Sequence, residues 1–379
     1  MTGDYPRFSP DEFARRRRLL FAVAGEAGLD AILVYGADRS GSAVQWVTGW
    51  PVTREAVVLM QPDRPDLMWV QFYNHVPNAA RLAPETQVIW GGPSTFATVA
   101  DTLAARGIAR LGTIGPLRHT DHQRLEAGLV DVVSLDSTYT RLRMRKSAEE
   151  IGWLRTGADL SDRAVVALRD GLRPGLNEYD LGALVEGAYV PVGGTTHIHY
   201  FGVTSMSEPR SFVPSQWPST RQVRPGDILT TEISASWWGY PGQVLRTMTV
   251  GVESTARYRA LHEVADAAYN ALVDRIQPGL HVSELVDAAS LIDDAGYTIC
   301  DDLVHGFGGG YLPPVLGTRS RPAGPIPDLV LEEGMALVVQ PNVITPDERA
   351  GVQTGGLVLV TAHGCEELQR APRGLWQTG

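Results

Sequence analysis

The stretch from Gly226 to Thr247 constrains the fold more than any other part of the chain. Gly226-Asp227 opens a turn, Ile228 to Ser234 is a largely apolar and β-branched run carrying Glu232, and Gly239-Tyr240-Pro241-Gly242 closes a loop. Gln243 to Thr247 then returns with Gln243 and Arg246. Runs of this length between turn residues predict two strands. Three later segments give the pair its meaning: Val304-His305-Gly306-Phe307-Gly308-Gly309-Gly310, Glu333-Gly334-Met335 up to Gln340-Pro341-Asn342, and Gly351-Val352-Gln353-Thr354-Gly355-Gly356 up to Thr361.

In that order and spacing the four segments resemble the signature of the pita-bread family that includes methionine aminopeptidase, aminopeptidase P, prolidase and creatinase. The resemblance implies an α+β protein, with a pita-bread C-terminal domain behind an α/β creatinase-type N-terminal domain. In the metallopeptidases of that family, two aspartates, a histidine and two glutamates hold two divalent ions. Here those places carry Glu232, Gln243, His305, Gln340 and Gly355. A glutamine amide is a neutral, weak ligand and glycine offers no side chain. One carboxylate leaves two dications uncompensated, and uncompensated charge in a partly dry cavity is costly. The expectation is no metal and no other cofactor; the remaining way to hold an ion would be His197, His199 and His305.

Composition narrows the class. At 379 residues, 44% hydrophobic and 20% charged, the chain is long enough for two domains with separate cores. No apolar run approaches the roughly 20 residues that span a bilayer. The N-terminus runs into Arg15-Arg16-Arg17-Arg18-Leu19-Leu20, and the apolar stretch after it is soon interrupted by Gly25 and Glu26. It reads as the basic face of a first helix capped near Ser9-Pro10-Asp11 rather than as a signal peptide. A net charge of -10 argues against nucleic acid as a partner. Two cysteines, Cys300 and Cys365, make no disulfide framework and fit a cytoplasmic location.

Up to about residue 140, short apolar strands (Ala31–Tyr35, Glu55–Met60, Asp66–Val70, Leu111–Gly115) alternate with helical stretches at Arg15–Ala27 and Thr95–Arg106. No GxGxxG follows a strand, so a dinucleotide site has no support. Ser147, followed by Glu150, is a capping-box pattern opening a long amphipathic helix. Domains are therefore expected at 1–140 and 141–379. Further helices are expected at Glu178–Tyr189, Thr255–Ile276 and Ser283–Ala295, the second stopped by Gln277-Pro278-Gly279.

The candidate catalytic set is His305, Glu232, Gln340 and Gln243. His305 precedes a glycine-rich turn that lets backbone approach closely, and it is the first choice for an acid or base. Glu232 could accept or orient a proton, or instead pair with Arg246. The two glutamines keep a polar pocket while removing its charge. For substrate binding the candidates are His197, His199, Tyr240, Tyr311, Arg246, Ser215 and Arg54. His197 and His199 would share one face of a strand. Tyr240 and Tyr311 offer phenolic donors, and Arg319 and Arg321 offer loop guanidinium groups. Ser215 stands where creatinase has a histidine, and Arg54 matches an arginine that reaches creatinase's site from a partner subunit, which implies a homodimer.

These residues are read as a metal-independent, creatinase-like or Xaa-Pro-peptidase-like enzyme that hydrolyses a C–N bond of a small polar substrate by acid-base chemistry. A lyase or cyclase, a non-catalytic binding protein, and an Xaa-Pro metallopeptidase with an altered metal site are the alternatives. Neither nucleic acid nor membrane is an expected partner.

Overall fold

The computed structural model describes residues 5–37, 43–128 and 131–379. Residues 1–4, where a leader would begin, lie outside that set. The chain divides into two compact units, Met1–Arg143 and Met144–Gly379.

In the first unit, helix α1 (Pro10–Glu26) starts where the Ser9 hydroxyl accepts the Glu12 N–H at 3.2 Å and proline occupies the first turn. Its arginines do not form one solvated face. Arg16 is fully buried and donates to Glu12 Oε1 at 2.7 Å and to the Trp46 carbonyl at 2.8 Å, and its guanidinium lies 4.1 Å from the Phe8 ring centroid. Those partners are what make its burial tolerable. Strands β1 (Ala31–Ala37), β2 (Glu55–Gln61), β3 (Arg64–Val70), β4 (Gln87–Trp90), β5 (Arg110–Ile114) and β6 (Asp131–Ser134) form a mixed sheet in the order β4-β3-β2-β1-β5-β6. Central β1 is buried along six of its seven residues, which is why it reads as a continuous apolar run. The edge strands β4 and β6 have no fully buried residue and carry too little apolar pattern to be expected from sequence.

The second unit begins with α2 (Ala148–Gly171), whose Ser147/Glu150 capping box is formed in both directions. Helix α3 (Glu178–Tyr189) follows, capped by Asn177. Strands β7 (Thr195–Ser205), β8 (Asp227–Trp237), β9 (Val244–Val250), β10 (Val304–Phe307), β11 (Tyr311–Leu316), β12 (Ala336–Val339) and β13 (Gly355–Thr361) join one sheet in the order β11-β10-β12-β13-β9-β8-β7. Helix α4 (Ala256–Val273) packs Leu261, Ala265 and Leu272 with Val339, Val358 and Val360. Leu168 of α2 and Leu181 and Val185 of α3 pack with Leu229, Ile233 and Val244. The stretch expected as one helix over 283–295 is two, Ser283–Ala288 and Ser290–Asp294.

Helix α2 seats the β8–β9 hairpin by direct contact. The Ser161 hydroxyl donates to the Gly242 carbonyl at 2.8 Å and accepts the Ala235 N–H at 3.0 Å. A Cβ at Gly157 would come within 2.4 Å of the Tyr240 carbonyl oxygen, so glycine is what permits this approach.

Candidate active site

Alternation along each strand decides which side chains meet. On β8, Leu229, Ile233 and Ala235 enter the core with α2 and α3. Glu232, one residue out of phase with them, faces the other way. On β9, Val244, Met248 and Val250 take the helix side, which leaves the preceding Gln243 on Glu232's side. On β10, Val304 joins the α4 core while His305 and Phe307 face a cavity. Gln340, just past β12, is held by its N–H to the Leu303 carbonyl at 2.9 Å.

These side chains line one cavity of about 360 Å³ within the second unit. Gln243 is its hub: Nε2 donates to Glu232 Oε1 at 2.7 Å and to Gln340 Oε1 at 2.9 Å. His305 is 2% exposed and lies parallel to the Tyr311 ring, with centroids 4.1 Å apart. Its Nδ1 is 3.2 Å from the Gly306 carbonyl, which fixes the proton on Nδ1 and turns an acceptor Nε2 toward the cavity. Burial holds His305 down to about 4 despite that carbonyl, so the ring is neutral near pH 7. Burial, then Asp301, then Asp302, pushes Glu232 up to about 8, so its carboxyl keeps a proton there. Burial, then Asp301, raises Asp302 to about 6.

The structure thus brings together His305, Glu232, Gln243, Gln340, His197 and Tyr311 from the expected set. His199 is not with them. A β-bulge between Thr196 and Ile198 makes His197 the extra residue, so the doublet splits across the strand. His197 meets Phe307 in the cavity, whereas His199 stacks on Phe201 with its Nδ1 3.7 Å from Glu186 Oε1. The three-histidine ion site considered from sequence is therefore not assembled.

Four other expected binding residues are occupied elsewhere. Arg246 falls on the helix face of β9, where it donates to the Leu245, Gly355, Ala371 and Pro372 carbonyls and does not pair with Glu232. Tyr240 donates to Glu150 Oε1 at 2.7 Å and meets Trp153 edge-on. Ser215 donates to the Trp217 carbonyl at 2.9 Å, and its neighbours Pro214 and Gln216 line the cavity instead. Arg54 is an exposed turn residue of the first unit. Arg319 is paired with Asp287 at 2.6 Å and Arg321 with Glu348.

Sequence reasoning missed Asp301 and Asp302, which line the cavity beside Cys300, as well as Tyr200 and Phe307. A loop Asp-Asp pair carries no motif. The available signal was its position immediately ahead of the strand that bears His305. Burial raises both thiols, that of Cys365 to about 11, which suits neither to act as a thiolate.

The donors present do not fit two divalent ions. Glu232 is hydrogen-bonded to an amide, Gln243 and Gln340 are neutral, and a Cβ at Gly355 would lie 2.4 Å from the Val339 carbonyl oxygen. Among the described residues, no group of three or more His, Cys, Asp or Glu is arranged to hold a metal.

Residues 152–362 match the model of Metallopeptidase family M24. A probable dipeptidase PepE of Mycobacterium tuberculosis is 31% identical over 387 residues, covering 97% of each chain. An Xaa-Pro dipeptidase of Pyrococcus furiosus is 26% identical over 269 residues, 70% of this chain and 75% of the relative. Among solved structures, an Xaa-Pro dipeptidase from Bacillus anthracis superposes with a TM-score of 0.82 at 23% identity, covering 96% of this chain and 99% of that one. Dipeptidase PepE from Mycobacterium ulcerans gives 0.79 at 22% identity, covering 98% and 99%.

These findings overturn the expectation of a metal-independent, creatinase-like enzyme, because the relatives carry dipeptidase names and the family is one of metallopeptidases. They give no support to a lyase. The fold is the pita-bread fold with an N-terminal domain ahead of it. With the family match spanning more than half of its length, the chain belongs to metallopeptidase family M24.

Proposed function

We propose that this chain is a small-peptide hydrolase of the dipeptidase class, with Xaa-Pro dipeptides as the first substrates to test and with a metal site altered from that of its relatives. The observation that carries this reading is the convergence of Glu232, Gln243, His305 and Gln340 on one cavity of about 360 Å³. A cavity of this size is at the small end of ligand sites and suits a dipeptide. The 31% identity to a named dipeptidase along nearly the whole chain supports the same class.

The chain's own residues bind and orient the peptide. Gln243 uses both amide hydrogens on Glu232 and Gln340, so these three groups form a fixed polar wall that needs no rearrangement when a ligand enters. Phe307 and the half-exposed Tyr311 supply an aromatic wall on which an apolar ring can lie. Neutral His305 presents an acceptor nitrogen, and Glu232 holds a proton at one end of the amide chain.

The test is hydrolysis of Ala-Pro, Gly-Pro, Leu-Pro and their non-proline counterparts, once after chelator treatment and once with manganese, cobalt or zinc supplied. Free amino acids should be released in at least one preparation. His305→Ala should lower turnover by about a hundredfold or more with an unchanged circular dichroism spectrum. No hydrolysis of any dipeptide in any preparation overturns the reading.

A further inference from the structure

The polar wall of the cavity stands on two sides of one short seam. Glu232 and Gln243 belong to the β8–β9 hairpin, whereas His305 and Gln340 belong to β10 and the end of β12. Strand β13 joins the two sides. Val244 of β9 and Val339 of β12 both pair with Gly356, and their chain neighbours Gln243 and Gln340 meet across it. Among the described residues, β9 pairs with β13 only at Val244 with Gly356 and Leu245 with Gly355. From Thr247 to Val250 the same edge of β9 is taken by the C-terminal strand Leu375–Thr378. Two pairs are little to hold such a junction in register, because a backbone hydrogen bond contributes only about 1 kcal/mol net.

Arg246 sits where β9 changes partner. It is buried, and Nη1 donates to the Gly355 carbonyl of β13 and to that of Leu245, both at 2.8 Å. Nη2 and Nε donate to the Ala371 carbonyl at 2.6 Å and the Pro372 carbonyl at 2.9 Å, in the segment that leads to the C-terminal strand. Burial lowers Arg246 only to about 10, so the guanidinium stays charged near pH 7. Its planar fork reaches carbonyls on both of β9's partners, a span that the single nitrogen of a lysine does not cover. The next residue adds a second tie to β13's side. Buried Thr247 Oγ1 accepts the Gln353 N–H at 2.7 Å and donates to the Gln353 carbonyl at 2.9 Å, standing in for the ladder bonds that β9 and β13 do not make there.

We infer that Arg246 and Thr247 are positioning residues: together they clasp β9 to the β13 segment and so align Glu232 and Gln243 with Gln340 and His305. Neither lines the cavity, and both act through the strands they tie. This role rests on the cavity being the catalytic site of the proposed function, and it names what keeps the two sides of that site in register. Gln243 Nε2 reaches Gln340 Oε1 at 2.9 Å across the seam. A shift of about 1 Å between the two sides takes that bond beyond hydrogen-bonding distance.

The test compares Thr247→Val, Thr247→Ser and Arg246→Lys in the full chain, each assayed at a temperature where its denaturation curve shows it folded. Thr247→Val keeps the shape and removes the hydroxyl, whereas Thr247→Ser keeps the hydroxyl. Crystal structures give the Gln243–Gln340 distance, and kinetics on a dipeptide that the wild type hydrolyses give kcat and KM separately. In Thr247→Val the distance should exceed about 3.5 Å. Its kcat should fall about tenfold or more with KM within about threefold, as misplacement of reacting groups does and mere loss of stability in a folded sample does not. Thr247→Ser should restore both. Arg246→Lys should behave like Thr247→Val; if it does not fold, the two Thr247 variants decide. An unmoved Gln243–Gln340 pair in Thr247→Val, a displaced pair with unchanged kcat, or no recovery in Thr247→Ser overturns the inference. A wild type that hydrolyses no dipeptide, together with a displaced pair in Thr247→Val, would sink the peptidase reading and leave the clasp standing. Hydrolysis by the wild type with an unmoved pair in the variant would do the reverse.

Discussion

Gly306 shows how closely the surroundings of His305 are specified. A Cβ there would lie 2.1 Å from the Pro313 carbonyl oxygen and 2.8 Å from that of Leu312, both backbone atoms that cannot swing aside. Gly306→Ala should therefore destabilise the protein by about 2 kcal/mol or more, as overpacking against fixed neighbours does. Urea denaturation checks this, and an unchanged midpoint would show that the strand can shift. At this scale, Glu232, Gln243, His305 and Gln340 were legible as a group because each stands in a segment of the resemblance. Asp301 and Asp302 were not, since a loop acid pair looks the same in sequence whether it faces solvent or a cavity. Arg246 misled for a different reason: an arginine near a candidate site suggests an ion pair, but it sits one position out of phase with Gln243 on a strand whose opposite face is helix-covered.

Helix ends were more readable than strand faces. Ser147 and Glu150 cap α2 through local hydrogen bonds, so their spacing alone announces the helix. Ser147→Ala should cost about 1 kcal/mol in urea denaturation, and Ser147→Asp should retain most of the stability. Equal losses in both variants would mean that the hydroxyl serves packing rather than capping. Because α2 seats the β8–β9 hairpin through Ser161 and Gly157, fraying of its first turn bears on the wall that holds Glu232 and Gln243. Strand β7 was read in the wrong phase because a bulge is a property of a pair of strands. Nothing within Thr196-His197-Ile198 reports that β8 contributes one residue fewer. The short edge strands β4 and β6 escaped notice because half-exposed edges need little apolar sequence.

Across the whole molecule, the perturbed groups of the cavity write themselves into stability as a function of pH. Glu232, raised from 4.5 to about 8, keeps a proton that the unfolded chain releases, so its contribution is full below pH 4.5 and is lost as pH climbs to about 8. Asp302 behaves alike between 3.8 and about 6. His305 opposes them: lowered from 6.5 to about 4, it contributes stability above pH 6.5 that is lost as pH falls to about 4. Above pH 6.5, Glu232 is the one of these three still changing. Chelator-treated protein should lose stability from pH 6.5 to 8, with a slope of at most about 1.4 kcal/mol per pH unit. Glu232→Gln should flatten that slope in urea denaturation, and an equal slope in the variant would place the titration elsewhere.

The fold of the second unit could be read because its strand–loop–strand signature is local and ordered along the chain. The hydrolase class was legible from the same signature, whereas the metal-independent, creatinase-like refinement was not, because the missing carboxylates speak about ions and not about the substrate. The most direct measurement is a crystal structure of the His305→Ala protein soaked with a dipeptide that the wild type hydrolyses. The account predicts the dipeptide in the cavity lined by Gln243, His305 and Gln340. The same dipeptide bound anywhere else in the chain would contradict it.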